Sequence, residues 1–330
     1  MASPNPLLAL PGMAAARERV EARLLTAAET GHPAMTEMAS HLMRAGGKRM
    51  RPLLTVAAAA TADGEAPAPG SGDDVTGGVA VELVHLGSLY HDDVIDEAST
   101  RRAVESVNAR WGNLRAILAG DFLLARASEL AASLGNEVAA LLAATIGRLC
   151  EGEVRELERV YQVDRSEADY LAAIEGKTAS LFATACRIGG IVADRPRPQI
   201  EALTEFGRLY GMAFQVVDDV LDVVATDEEL GKPAGHDMAE GVYNLPVLRS
   251  LAGPGGDELR GLLGGPLTAD AQARALAIVR DGQGPAAATA AAGGYVASAA
   301  EALAPIPPSP ATEALAGAAE HLLAGVADRV

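Results

Sequence analysis

Apolar residues recur every three to four positions along nearly the whole chain, and alternating apolar and polar runs are essentially absent. A period near 3.6 predicts helices with one buried face, whereas a period of two would predict strands. The pattern therefore predicts an all-α protein. Helices are expected over Met13 to Thr30, Met35 to Arg44, Val79 to His91, Ala116 to Leu134, Glu137 to Val160, Tyr170 to Ala193 and Gln199 to Val224. Ala and Leu, both strong helix formers, dominate these stretches. Breaks fall where Gly, Pro and short polar residues cluster. Ala62 to Gly78 is the clearest surface loop, with shorter breaks at Asp194 to Pro198, Gly253 to Asp257, Gly282 to Pro285 and Pro305 to Pro310. None has the length or composition of a free linker, and no fixed-period repeat occurs. Residues 1–330 thus read as one domain, with the uncharged, Ala-rich stretch Ala286 to Ala300 as a tightly packed peripheral helix.

Composition narrows the partners. The 330 residues are 49% hydrophobic, 22% charged and 3% aromatic, which suits a large globular core. With so few aromatic rings, stability has to come from many close helix contacts, and an oligomer interface would add to it. A net charge of -17 argues against nucleic acid and against electrostatic docking on an anionic membrane. It leaves room for a phosphate-bearing substrate, because a few placed cations and bound metals invert the local field. Cys150 and Cys186, the only cysteines, form neither a disulfide framework nor a zinc set and read as buried small hydrophobes. The first residues lack a basic segment followed by an apolar one, and no run of 18 apolar residues occurs. No signal peptide or transmembrane helix is expected, and the expected location is cytoplasmic.

The chemistry concentrates in two copies of one acidic signature, Asp92-Asp93-Val94-Ile95-Asp96 and Asp218-Asp219-Val220-Leu221-Asp222. On a helix, Asp92 and Asp96 share a face, as do Asp218 and Asp222. One such run is ordinarily a solvated helix face. Two copies with similar apolar fillers, each in an otherwise apolar helix, ask for a shared counter-charge. Hard divalent cations bound by oxygen supply it, and Mg2+ is characteristically shared between carboxylates and substrate phosphates. A diphosphate-binding cleft is the reading that follows.

Cations stand in compact sets around these motifs. Gly46-Gly47-Lys48-Arg49-Met50-Arg51-Pro52 combines a glycine pair, three cations and a proline suited to a helix start, although basic surface turns are common. Arg101 and Arg102 follow Asp96 closely enough to fold back over a metal site, and guanidinium forks match phosphate oxygens. Lys177-Thr178 sit in an apolar helix, where the lysine either snorkels to an edge or serves the site. Gln215 lies one turn before Asp219, and Lys232 follows the second motif. His85 stands two turns before Asp92; His91 reads as structural, and Trp111 and the methionines as packing. No nucleophilic triad order, Walker loop or dinucleotide fingerprint occurs. A metal diphosphate site without an obvious protein base fits a reaction in which diphosphate itself leaves.

In order along the chain, these motifs resemble the trans-isoprenyl diphosphate synthase, or polyprenyl synthetase, family. The resemblance runs from Gly46 to Pro246 and includes Ala119-Gly120-Asp121-Phe122-Leu123, Gly176-Lys177-Thr178, Phe214-Gln215 and Gly231-Lys232-Pro233 before Asp237. It implies a single-domain isoprenoid-synthase helix bundle with a central active-site cavity, usually a homodimer. Carried over by position, it implies that Asp92 and Asp96 bind two Mg2+ ions and Asp218 a third, with Asp222 nearby. Lys48, Arg51, His85 and Arg102 would hold isopentenyl diphosphate. Arg101, Lys177 and Lys232 would hold the allylic diphosphate, and Thr178 and Gln215 would flank its reacting carbon. The implied chemistry is ionisation, condensation and elimination, adding one five-carbon unit per cycle.

Product length is then a question of volume. Short-chain family members typically place a bulky aromatic residue four or five positions before the first motif, where this chain has Ser88 and Gly87, with Val84 and Val81 a turn below. The two-residue insertion common in bacterial farnesyl diphosphate synthases is also absent. The expected product is a medium- to long-chain all-trans polyprenyl diphosphate, with geranylgeranyl diphosphate the alternative. A terpene cyclase usually lacks a second D-D-x-x-D, and a non-catalytic partner subunit usually loses one motif; both are retained here. Two departures stand out. Ala103-Val104-Glu105 replaces a family G-x-P, and Val242 replaces a lysine in Gly241-Val242-Tyr243-Asn244-Leu245-Pro246, which puts one phosphate contact in question.

Overall fold

The computed structural model describes residues 5–62, 72–230, 233–326 and 329, and these are helical almost throughout. We label the main helices α1 (Met13–Ala28), α2 (Pro33–Arg44), α3 (Met50–Ala60), α4 (Asp73–Ile95), α5 (Asn113–Ser133), α6 (Asn136–Leu157), α7 (Glu167–Ile174), α8 (Ser180–Val192), α9 (Arg197–Val224), α10 (Gly284–Ala302) and α11 (Pro310–Leu323). The two acidic motifs end α4 and α9. Helix α8 packs against both of these and against α3, while α5 covers α4 and α10 covers α9. The Ala-rich segment is thus a packing helix: Ala288, Ala292, Val296 and Ala299 are buried, and small side chains let α10 lie close to α9. No described helix is long and apolar enough to cross a membrane.

Three expectations change. The stretch 62–78 is not all loop, because α4 begins at Asp73 and Gly77 and Gly78 are buried against Ile188 and Pro52; residues 63–71 lie outside the described residues. The expected helix Tyr170 to Ala193 is interrupted by a π-helical turn, Glu175–Ala179, between α7 and α8. A small antiparallel hairpin pairs Thr100–Arg101 with Val104–Glu105, where a strand signal is too short to register. Its turn holds Arg102 and Ala103 at positive φ (54° and 60°), the conformation that favours glycine. Ala103 therefore occupies a left-handed position where the family pattern has glycine.

Cys186 is buried as expected, but Cys150 is exposed. It lies on the outer face of α6, where Ala143, Ala144, Gly147 and Val154 are exposed too. Periodicity marks that face as apolar without saying what covers it.

Candidate active site

A cavity of about 350 Å³ lies where the loop Gly46–Arg49 meets α3, α4, α8 and α9. Lys48, Arg51, His85 and Arg102 line it together with the rings of Phe182 and Phe214. Four residues from three separate sequence motifs are thus brought together as one cationic pocket. Lys48 is exposed, and the Arg51 guanidinium lies over the Phe182 ring at 4.4 Å, a favourable cation–π position. Burial, reinforced by Arg102 and opposed by Glu82, lowers the Arg51 pKa to about 10, so it stays charged at neutral pH. Burial and then Arg51, Arg102 and Arg101 depress His85 well below the ordinary histidine value, so its ring is neutral. Arg102 donates to the carbonyls of Leu42 and Gly46, fixing the hairpin over the glycine pair.

Arg49 behaves differently from its neighbours. Its buried guanidinium turns inward to Glu21 and Glu82. Arg101 is likewise engaged: its Nε and Nη2 lie 2.7 and 2.6 Å from Oδ1 of Asp93, the buried middle aspartate of the first motif. The expected role of Arg101 toward a substrate therefore shares its fork with Asp93.

The first acidic wall is built on α4 and α6. Burial raises the Asp92 pKa to about 7; Glu153 and Asp96 push it further up, while Lys177 and Arg101 oppose them. Lys177 bridges Glu153 and Glu156, both at 2.7 Å. Burial disfavours its charge, yet Glu156, Glu153 and Asp92 hold its pKa above the normal lysine value. The helices touch backbone to backbone here. A Cβ on Gly152 would come within 2.4 Å of the Lys177 backbone nitrogen, and one on Gly176 within 2.9 Å of the Arg148 carbonyl oxygen. Only glycine at both positions lets α6 set its glutamates against Lys177.

The second wall is a hydrogen-bonded chain. Thr178 Oγ1 donates to Gln215 Oε1 at 2.7 Å, Gln215 Nε2 donates to Asp219 Oδ1 at 2.8 Å, and the Tyr170 hydroxyl donates to Asp219 Oδ2 at 2.5 Å. Burial and then Asp237 raise the Asp219 pKa well above the carboxylate range, against the Tyr170 and Gln215 hydrogen bonds. Asp218 is exposed, and the buried Asp222 accepts from the Asp237 amide at 3.3 Å. Lys177 and Thr178, adjacent in the π-turn, thereby connect the two acidic clusters. π-turns of this kind are frequent at functional sites.

Among the described residues no three carboxylate, histidine or cysteine side chains already converge on a metal position. The donor chemistry nevertheless fits magnesium. Both walls are oxygen-only, as a hard cation requires, and each holds carboxylates whose mutual repulsion a bound cation relieves. Lys232 lies outside the described residues.

Helical spacing places His85, Ser88 and Asp92 on one stripe of α4, and all three are partly accessible. Gly87 does not open onto free space as expected. It crosses α5 at Gly120, where a Cβ would lie 3.1 Å from the Gly120 oxygen and 3.3 Å from Leu124 Cδ2. His91 packs over the same crossing, its Nε2 3.3 Å from the Ile117 oxygen and 3.4 Å from Asp121. Val84 is fully buried, and Tyr90 points to the Met38 carbonyl on α2, away from the pocket.

The sequence left Glu82, Glu21, Glu153, Glu156 and Tyr170 unmarked, and Asp237 was named there only as a motif boundary without a role. Two had a signal. Glu82 is the only charged residue between Val79 and Tyr90, and Tyr170 lies two turns before Lys177.

An all-helical enzyme with a cationic pocket beside two carboxylate clusters is the class that this fold and site define. Residues 32–277 match the polyprenyl synthetase family model, and the chain belongs to that family. Over 306 residues it is 40% identical to the nonaprenyl diphosphate synthase of Mycobacterium tuberculosis, covering 92% of this chain and 90% of that one. Its fold is similar to a decaprenyl diphosphate synthase from Rhodobacter capsulatus (TM-score 0.88, 33% identity, 97% and 98% of the two chains). It is equally similar to a polyprenyl synthase from Caulobacter crescentus complexed with calcium and isoprenyl diphosphate (TM-score 0.90, 34% identity, 98% of each chain).

Proposed function

We propose that the chain condenses isopentenyl diphosphate with an allylic diphosphate, by ionisation, condensation and elimination, to a medium- to long-chain all-trans product. The chain is a prenyltransferase of the polyprenyl diphosphate synthase kind. One observation carries the assignment of roles: the Lys177–Thr178 turn joins two acidic walls beside a separate cationic pocket. Two diphosphates then have two distinct seats. Lys48, Arg51, Arg102 and the neutral ring of His85 suit the isopentenyl diphosphate, which keeps its diphosphate. Asp92 and Asp96, with Asp218 and Asp222, would hold Mg2+, by the family resemblance three ions; when bound they supply positive charge to the leaving diphosphate.

The residues of the chain supply the rest. Lys177, held charged by Glu153 and Glu156, stays a cation beside the allylic diphosphate as its bond to carbon breaks. Arg101, with Lys232, would assist it. The carbonyl oxygen of Gln215, oriented by Asp219, and the Thr178 hydroxyl offer lone pairs to the allylic cation. The isopentenyl double bond attacks that cation, and the released diphosphate takes the proton that leaves. Ser88 and Val84 would then set the room for the growing chain, with Gly87 acting through the α4–α5 crossing. A calcium-bearing relative supports divalent-metal dependence. A homodimer belongs to the same reading, supported by exposed Leu114, Ile117 and Leu118 on α5 beside the small-residue face of α6.

The test is incubation of the purified protein with Mg2+, labelled isopentenyl diphosphate and primers of several lengths, followed by chromatography. Elongated polyprenyl products are expected; no elongation with any primer would overturn the proposal. Ser88→Phe should shorten the product while turnover continues. Gly87→Phe should instead lose stability, by about 1–3 kcal/mol from overpacking against Gly120.

A further inference from the structure

We propose that Arg49, Glu82 and Glu21 form a positioning bridge that sets the geometry of the isopentenyl diphosphate pocket, Arg49 acting through its neighbours rather than on the substrate. The inference rests on the prenyltransferase reading above. Arg49 adopts φ 51°, a left-handed conformation uncommon for a residue with a side chain. That conformation turns its guanidinium into the protein, where the side chain is fully buried. Nε and Nη2 pair with Glu21 at 2.9 and 3.1 Å, Nη1 meets Glu82 at 3.2 Å, and Nη2 also donates to the Met43 carbonyl at 2.9 Å. All three nitrogens are therefore engaged within the protein. Arg49 borders the pocket as well, but with its nitrogens held by Glu21, Glu82 and Met43 it leaves Lys48 on one side and Arg51 on the other to meet an anion.

The bridge ties four elements together: α1 through Glu21, the end of α2 through Met43, the loop before α3, and α4 through Glu82. Helix α4 also carries His85 and Asp92, so the loop cations are registered against the same helix that bears the first acidic motif. Gly47 shows how close the charges come. A Cβ there would meet Arg102 Nη1 at 2.9 Å and Arg49 Nη1 at 3.0 Å, so two guanidinium groups flank one glycine. Like charges this close repel unless a carboxylate stands among them. Glu82 is the sole carboxylate among the described residues lining the pocket, and it faces Arg49, Arg51 and Arg102 together. Removing one partner of a buried ion pair leaves uncompensated charge, and the surrounding groups move apart.

The experiment compares Glu82→Gln and Glu21→Gln with the parent enzyme, measuring KM for isopentenyl diphosphate and for the allylic primer separately. Glu82→Gln should raise the isopentenyl diphosphate KM about tenfold, as loss of a buried charge-assisted contact implies, and Glu21→Gln about threefold. The primer KM should change less than about twofold, because the bridge makes no contact with Lys177 or Gln215. On charge alone, losing Glu82 would make the pocket more positive and tighten anion binding. A lowered or unchanged KM, or an equal rise for both substrates, would therefore overturn the proposal. If Glu82→Gln does not fold, Glu21→Gln decides, since its carboxylate is partly exposed at the bundle surface. Calorimetry of isopentenyl diphosphate binding without metal should show the same weakening. An enzyme that elongates no primer would count against the prenyltransferase reading, while the calorimetry would still decide the bridge.

Discussion

The cationic pocket and the acidic walls solve the problem of crowded like charge in opposite ways. Around the pocket, Arg49, Arg51 and Arg102 are brought close, but Glu82 and Glu21 come with them. The repulsion among its guanidinium groups is offset in part when the chain folds, and net positive charge is left for an anion. The walls gather Asp92, Asp96, Glu153 and Glu156 on one side and Asp218, Asp219, Asp222 and Asp237 on the other, with Lys177 as the main internal offset for the first. Burial then raises Asp92 and Asp219, the mark of carboxylates short of counter-charge. One half of the site is completed by the polypeptide. The other half, on the proposed reading, would be completed by bound cations.

The largest test of this contrast removes a wall ligand. Asp92→Ala should abolish nearly all elongation, by roughly a thousandfold, because it deletes metal-borne stabilisation of the leaving diphosphate; a solvated-face aspartate would give almost no change. Metal addition comes next. With its folded pKa raised to about 7, Asp92 favours the folded state below the unfolded pKa of 3.8, and that contribution is lost as pH rises toward 7. His85, depressed below 6.5, acts with the opposite sign, losing stability as pH falls. Mg2+ with diphosphate should therefore raise the melting temperature more at pH 8 than at pH 5, as calorimetric scans would record. An equal rise at both pH values would break the comparison.

Tyr170→Phe should lower kcat about tenfold and leave both KM values nearly unchanged, since it frees one oxygen of Asp219 and loosens the Gln215 amide. Steady-state kinetics would decide it, and a change confined to KM would count against that ordering role. Smallest, Ala103→Gly should stabilise the protein by about 0.5–1 kcal/mol in urea titration, relieving a left-handed alanine beside Arg102.

The helices and the chemistry-bearing motifs were legible because both are local. A 3.6-residue period announces α4 and α9, and Asp92 with Asp96 fall on one face by arithmetic. The balance of charge was not, because it is made by partners distant in sequence: Glu21 is 28 residues from Arg49, and Tyr170 is 49 from Asp219. Gly87 misled for the same reason. A missing side chain reads as empty space along one helix, but Gly120 on the next helix fills it. Cys150 sits in an apolar stretch whose outer face the bundle leaves uncovered. The π-turn was not legible either, because its Gly176 is set by a backbone contact with Gly152 on another helix.

The Gly152–Gly176 contact has one more consequence. Two backbones in hard contact set the separation of α6 from the Lys177 turn, and no side chain can act as a spacer between them. Substitutions near Ser88 and Val84, the proposed chain-length positions, should therefore leave Lys177 set against Glu153 and Glu156. On the roles proposed above, the part of the molecule that would break the carbon–oxygen bond is thereby insulated from the part that would measure the chain, so product length could change while the chemistry is kept.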